Sequence, residues 1–382
     1  MNAIEFRLNG KLLRADGISP NTTLLNYLRS RGSTGSKEGC AEGDCGACSV
    51  AIVDRDTNGN ACFRAINSCL VPLPAIAGRE IISVEGLKAA ALHPVQQAMV
   101  DHHGSQCGYC TPGFVMSLFE GFHRKDLQTE AQLDEQLAGN LCRCTGYRPI
   151  RDAAVEAYAQ RGSDAYAERL HEPAGELQAL ELEQNGERFF RPKALGELFG
   201  LMAKFPEARL VAGATELGLL VSKYFKKIET WISLEAIPEL LSVEESEAEW
   251  RIGGAVNLTN IFDRIGSEFP TLGEMLRWFG SRQIRNRATM GGNLVTASPI
   301  GDSAPVLLTF DTKLVLASLA GERVVSLDEF FLAYRKTALR SGEILKTIIL
   351  PRGDKLRRGF YKVAKRREMD ISTVAACFAI EL

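Results

Sequence analysis

Nine of the ten cysteines in this 382-residue chain lie between Cys40 and Cys144, and Cys377 stands alone beyond them. Thiols packed this densely are bridged, reduced or bound to metal, and each option restricts the fold. The first residues alternate apolar and charged (Ile4, Glu5, Phe6, Arg7, Leu8), unlike a secretory leader. A reducing, cytoplasmic setting is therefore expected, and it favours metal over disulfides. The formal net charge of -2 leaves no positive excess to displace counterions from phosphate, so no nucleic-acid partner is expected. No run approaches the roughly 18 apolar residues of a membrane span. The length suggests two to three domains at about 150 residues each.

Cys40, Cys45 and Cys48 are spaced C-x4-C-x2-C within Gly39–Cys48. This is the ligand spacing of a plant-type [2Fe–2S] cluster, which takes a fourth, distant cysteine. The interleaved glycines allow positive φ angles and let backbone N–H groups face sulfur. Two residues compete for the fourth place. Cys69 follows a strand and precedes Leu70 and Pro72 in a loop mouth, and is preferred; Cys62 starts a strand and could simply be packed. A second set pairs Cys107 and Cys110 with Cys142 and Cys144, with 31 residues between Cys110 and Cys142. Both are expected at helix starts, where the dipole stabilises thiolates. Four such sulfurs suit another [2Fe–2S] cluster, with a redox dithiol or structural zinc as competing readings.

Around these loops the pattern predicts strands over 3–8, 49–53, 62–67 and 81–84, with a turn at Asn9-Gly10 and a helix over 22–31. Helices are expected over 94–102, 112–123, 129–137 and 150–160. Residues 163–187 carry seven acids with Pro173 and Gly175 among them, and read as a linker. Beyond Phe189 the pattern is α/β. Val211–Ala214 ends a strand in a turn, and Gly253-Gly254 and Gly291-Gly292 are expected to punctuate others. Strands are expected over 313–318 and 344–350. Residues 373–382 read as a lone apolar strand with a sticky edge. Between Arg352 and Arg367, eight basic residues face one acid, Asp354, as a solvated or an anion-facing surface. Without a G-x-G-x-x-G, a Rossmann site is not indicated. The turns Ala212–Leu217 and Gly291–Asn293 could instead offer backbone N–H groups to a pyrophosphate.

Gln106–Gly113 (QCGYCTPG) and Gly139–Tyr147 (GNLCRCTGY) resemble the helical [2Fe–2S] domain of the molybdenum hydroxylase family, the xanthine oxidase/dehydrogenase group. The loop Gly39–Cys48 is similar to that family's ferredoxin domain. Leu210–Gly218 and Ala288–Asp302 are similar to its flavin domain. The resemblance implies an α+β multidomain chain: a β-grasp ferredoxin domain over 1–86, a helical [2Fe–2S] domain over 87–162, the linker, a PCMH-type α/β FAD-binding domain over 188–355, and over 356–382 the start of a truncated C-terminal flavoprotein subdomain. It implies that Val211, Gly213, Ala214, Thr215, Glu216, Leu217 and Gly218 line one side of FAD. Gly292, Asn293, Ser298 and Asp302 would line the other, with Phe279, Leu294 and Lys362 near the cofactor.

The implied function is electron transfer in a xanthine dehydrogenase-like complex. A partner chain holding molybdopterin would oxidise the purine. Electrons would pass through the Cys107/Cys110/Cys142/Cys144 cluster, then the Cys40/Cys45/Cys48/Cys69 cluster, to FAD and on to NAD. A hetero-oligomer is expected. No catalytic residue is expected here, since the five histidines suggest no triad and His102-His103 reads as a surface pair. Another molybdenum hydroxylase acting on an aldehyde or N-heterocycle, or a non-catalytic cluster module, would share these motifs.

Overall fold

The computed structural model describes residues 3–88, 90–162, 164–172, 174–353 and 355–382. Pro173 and the first residue of the expected linker, and Asp354 of the basic run, lie outside the described residues.

Ile4, Phe6 and Leu8 alternate inward along the strand Ala3–Leu8, which turns at Asn9-Gly10 into the antiparallel strand Lys11–Asp16. Ala3–Leu8 also pairs in parallel with Glu80–Ile82, and the antiparallel pair Ser49–Arg55 and Ala61–Asn67 completes a five-stranded sheet. The helix Leu24–Ser30 starts at Thr23, whose side chain caps the Asn26 N–H, and packs Leu24 and Leu28 onto this sheet. The result is a β-grasp unit.

Four helices follow: Pro94–Asp101, Thr111–His123, Glu130–Leu137 and Arg148–Tyr158. Three carry proline in their first turn, where the missing N–H costs nothing. Thr111–His123 is buried along nearly its whole length, and Phe114, Phe119 and Phe122 share one core with Ala51, Val53 and Phe63 of the β-grasp sheet. The two cysteine-bearing units are thus packed face to face.

The acidic segment is not all linker. Leu180–Gln184 is a strand paired with Glu187–Arg191, because Leu182 alternates inward between glutamates. These strands open a four-stranded sheet completed by Thr230–Ser233 and Arg209–Val211. Its Phe189 and Trp231 join the core of Ile4 and Phe6. A second, antiparallel five-stranded sheet runs Val243–Glu245, Glu249–Gly253, Ile344–Pro351, Lys313–Ser318, Gly321–Ser326.

Two expectations are corrected here. Gly291-Gly292 do not end a strand: they sit in the first turn of the helix Met290–Thr296, which Thr289 caps. The C-terminal strand is not alone: Val374–Ile380 pairs along its length with Arg357–Val363, and Phe360 and Cys377 face the core together. The basic residues between them masked that partner in the sequence.

Candidate iron–sulfur and flavin sites

The loop Gly39–Cys48 runs between the helix Leu24–Ser30 and the strand Ser49–Arg55. Ala41, Gly43 and Gly46 take positive φ (55°, 86° and 66°), which curls the loop inward. The Cys40 sulfur accepts from the N–H groups of Glu42 (3.4 Å) and Cys45 (3.3 Å). A hydrogen bond from the Cys45 thiol draws the Cys40 pKa down to about 5, against burial and with help from the backbone N–H groups of Cys45, Asp44 and Gly43. A Cβ on Gly39 would lie 2.7 Å from the Cys45 sulfur, so only glycine leaves that face free. Cys48 and Cys69 are both buried, with sulfurs 3.3 Å apart. Cys62 does not join them: it sits in the strand opposite Asp54, accepts from Arg64 Nε at 3.4 Å, and burial pushes its pKa up to about 11. A sulfur-rich donor set with N–H groups already aimed at it suits an iron–sulfur cluster.

The second set converges as well. The Cys107 and Cys144 sulfurs lie 3.7 Å apart, and those of Cys142 and Cys144 4.0 Å apart. Cys110 immediately precedes the helix Thr111–His123 as its N-cap, but burial and then contact with Cys142 push its pKa up to about 12. The expected dipole stabilisation loses to desolvation there. Cys142 and Cys144 lie short of their helix, which starts at Arg148 after Tyr147 in a left-handed turn (φ 68°). Cys142 is drawn down to about 7: burial opposes, but the hydroxyl and N–H of Thr145 outweigh it.

The two cysteine loops touch. Leu141 N–H, next to Cys142, donates to the Cys45 carbonyl at 3.0 Å, and Asn140 Nδ2 donates to the Gly46 carbonyl at 3.3 Å. A Cβ on Gly46 would lie 2.2 Å from the Gly139 carbonyl oxygen.

The flavin-type motifs form two arms. In the first, after the strand Arg209–Val211, Ala214 takes φ 63° and leads into the helix Leu217–Ser222. A Cβ on Gly213 would meet the Arg287 carbonyl oxygen at 1.8 Å. The second is the helix Met290–Thr296, ended by Ala297 at φ 47°. Thr296 Oγ1 donates to Glu216 Oε2 at 2.7 Å and joins the arms. Lys362 Nζ bridges Asp302 (2.8 Å) and the Trp278 carbonyl (3.2 Å), and Ser303 donates to Asn293. Phe279 packs half-buried against the core. Thr215, Leu217, Asn293 and Ser298 are half-buried and Glu216 and Gly292 exposed, while Val211, Gly218 and Leu294 are buried. Leu294 serves the core rather than an open surface. Two glycine-bearing turns joined by a polar bridge, with accessible side chains between, fit an extended polar cofactor such as FAD.

The first cysteine loop also meets the first arm. Ser222 Oγ donates to the Ala41 carbonyl at 2.7 Å, and Lys223 pairs with Glu42. A Cβ on Gly218 would lie 2.2 Å from the carbonyl oxygen of Leu70, the residue after Cys69. Sequence reasoning missed two further groups. One is a buried polar junction of Ser117, Glu120, Asn140, Arg282 and Gln283. The other is a buried His93–Asp164–His123 cluster. Neither has a local spacing to announce it, since each draws on distant segments.

Among the described residues, no helix is long and apolar enough to cross a membrane. Residues 6–73 match the 2Fe-2S iron-sulfur cluster binding domain, 83–155 the [2Fe-2S] binding domain, and 182–353 the FAD binding domain in molybdopterin dehydrogenase. The xanthine dehydrogenase of Emericella nidulans is 33% identical over 447 residues, covering 100% of this chain and 33% of that protein. The xanthine dehydrogenase/oxidase of Mus musculus is 35% identical over 439 residues, covering 98% and 32%. The chain thus spans about a third of the length of these relatives. A solved structure of quinoline 2-oxidoreductase from Pseudomonas putida 86 is similar over 50% of this chain and 67% of that one, at 26% identity and a TM-score of 0.48. With its two iron–sulfur domains and its flavin domain, the chain belongs to the molybdenum hydroxylase family of oxidoreductases.

Proposed function

We propose that this chain is the electron-transfer part of a xanthine dehydrogenase-type enzyme, working in the cytoplasm with a molybdopterin-binding partner and NAD as acceptor. Cys107, Cys110, Cys142 and Cys144 would hold one [2Fe–2S] cluster, and Cys40, Cys45, Cys48 and Cys69 the other. The two arms, Val211–Gly218 and Gly292–Asp302, with Phe279 and Lys362, would hold FAD. When bound, these groups supply one-electron centres and a flavin that exchanges single electrons for a hydride. The protein's own part is positional. It holds thiolates with backbone N–H groups, excludes side chains from the sulfur faces with glycine, and keeps the three sites in contact.

One observation carries this reading. The loop Gly39–Cys48 is hydrogen-bonded on one side to the segment bearing Cys142, through Leu141, and on the other to the first flavin arm, through Ser222. A chain of one-electron sites needs its centres close together, and these contacts hold the three loops side by side. Anaerobic purification with iron and flavin quantified together tests it: iron for two [2Fe–2S] clusters and stoichiometric FAD are expected, and a colourless, iron-free chain would refute it. Reconstitution with the molybdopterin partner, assayed on xanthine against aldehydes, tests the substrate class.

A further inference from the structure

The short helix Arg282–Arg285, capped by Ser281, leaves the flavin side of the molecule and enters the seam between the two iron–sulfur units. Its Gln283 is 1% exposed. The side-chain amide spends both hydrogens there: Nε2 donates to Ser117 Oγ at 2.9 Å and to Asn140 Oδ1 at 2.8 Å. Ser117 Oγ donates to the same Asn140 oxygen at 2.6 Å. Asn140 is therefore held by its oxygen, and its Nδ2 points to the Gly46 carbonyl. The next residue, Leu141, donates to the Cys45 carbonyl. Among the described residues Gln283 Oε1 is buried without a hydrogen-bond partner, and a Cβ on Gly139 would sit 2.1 Å from it. The amide is thus inserted to the limit of the available space, at the expense of an unsatisfied acceptor. On its other side Ile284 reaches the first cysteine loop, where a Cβ on Gly43 would lie 2.9 Å from Ile284 Cδ1.

A leucine would fill this volume without stranding a polar atom. Retaining an amide with a bare oxygen makes sense if its donors set a geometry. We propose that Gln283 is a positioning residue: through Asn140 it fixes the register between Gly46–Cys45 and Leu141–Cys142, and so tunes the coupling and relative potentials of the two centres these loops hold. This rests on the cluster ligands proposed above. Outer hydrogen bonds that orient ligands are known to tune such centres.

The test is an anaerobic, EPR-monitored redox titration of the full chain. In Gln283→Leu, iron and flavin contents are expected to stay at the starting level. At a fixed potential the ratio of the two clusters' reduced fractions should move by about threefold or more, because hydrogen bonding around the sulfurs helps set each potential. Their mutual spin splitting should change with it. Gln283→Glu, which keeps the shape but cannot donate twice, should behave alike. If Gln283→Leu does not fold, Asn140→Asp removes the donor to Gly46 with little change of volume and is read in the same way. A variant that keeps its iron and shows an unaltered ratio and splitting overturns the proposal. Absence of iron from the parent chain would instead overturn the ligand assignment on which it rests.

Discussion

Cys62 and Cys69 differ in what surrounds their sulfurs. Cys69 faces Cys48 across 3.3 Å, whereas Cys62 lies in a strand beside Arg64 and Asp54. Replacing Cys69 with serine is therefore expected to halve the iron content and remove one of two EPR signals. Cys62→Ser should leave both, and the reverse result would reassign the fourth ligand. Glycine matters at this scale too. Gly46 combines φ 66° with a Cβ position 2.2 Å from the Gly139 carbonyl oxygen. Gly46→Ala must strain the backbone and push the two loops apart, at a cost of about 1–3 kcal/mol measured by denaturant unfolding. The C-x4-C-x2-C spacing is legible in the sequence because the cysteines of one loop are neighbours in the chain. The different settings of Cys62 and Cys69 also follow locally, one in a strand and the other in the turn after it. The function of Gly139 and Gln283 is not legible, since it arises from a contact between Asn140 and Gln283, which are 143 positions apart.

At the scale of elements, Asp164 ties the segment after the last cysteine-domain helix to two others. Its Oδ2 lies 2.7 Å from His93 Nε2 and 2.9 Å from His123 Nε2, in a box with Phe63, Phe119, Phe122 and Tyr166. His93 Nδ1 accepts from Val95 N–H, so its proton sits on Nε2 and points at Asp164. His123 Nδ1 lies 3.0 Å from the Phe119 carbonyl and its Nε2 faces the same Asp164 oxygen. Burial alone would raise the Asp164 pKa, but the hydrogen bonds from His123 and His93 outweigh it and hold the pKa well below the usual range. A depressed carboxylate contributes its stability above the unfolded pKa of about 4 and loses it as pH falls through the folded value. Asp164→Asn should thus cost about 3–5 kcal/mol at pH 7, as for a buried pair broken on one side. Thermal unfolding of the two proteins should converge as pH drops below about 4. A gap that stays constant across that range would refute the ionic reading. Elements with local signals, the proline-started helices and the alternating first strand, were readable in advance. Those whose identity depends on a partner were not, as with Val374–Ile380, whose mate hides in a basic run, and Leu180–Gln184 within an acidic one.

Across the whole molecule, the flavin unit is fastened to the helical unit by charge buried at their seam. Glu120 is fully buried in the helix Thr111–His123, and Arg282 Nε donates to its Oε1 at 3.0 Å. Asn286 Nδ2 donates to the same oxygen at 3.0 Å and Gln136 to the other at 3.1 Å. Burial would raise the Glu120 pKa, yet Arg282 and Arg124 hold it below the usual value, so the carboxylate is ionised. A buried pair of this kind is weak as net attraction and costly to break on one side, because the survivor keeps its desolvation penalty. Arg282→Met alone should therefore cost about 3–5 kcal/mol. Glu120→Gln alone should cost a similar amount, since it leaves the Arg282 guanidinium buried without its carboxylate. Combining them should recover much of the Arg282→Met loss, a coupling that denaturant unfolding of all four proteins measures directly. The same singly substituted chain should become more sensitive to proteolysis within residues 174–179, which lie outside any strand or helix. Simple additivity, with no recovery in the double variant, would mean that the seam is held by its apolar packing and that this ion pair contributes nothing specific to joining the electron-transfer units.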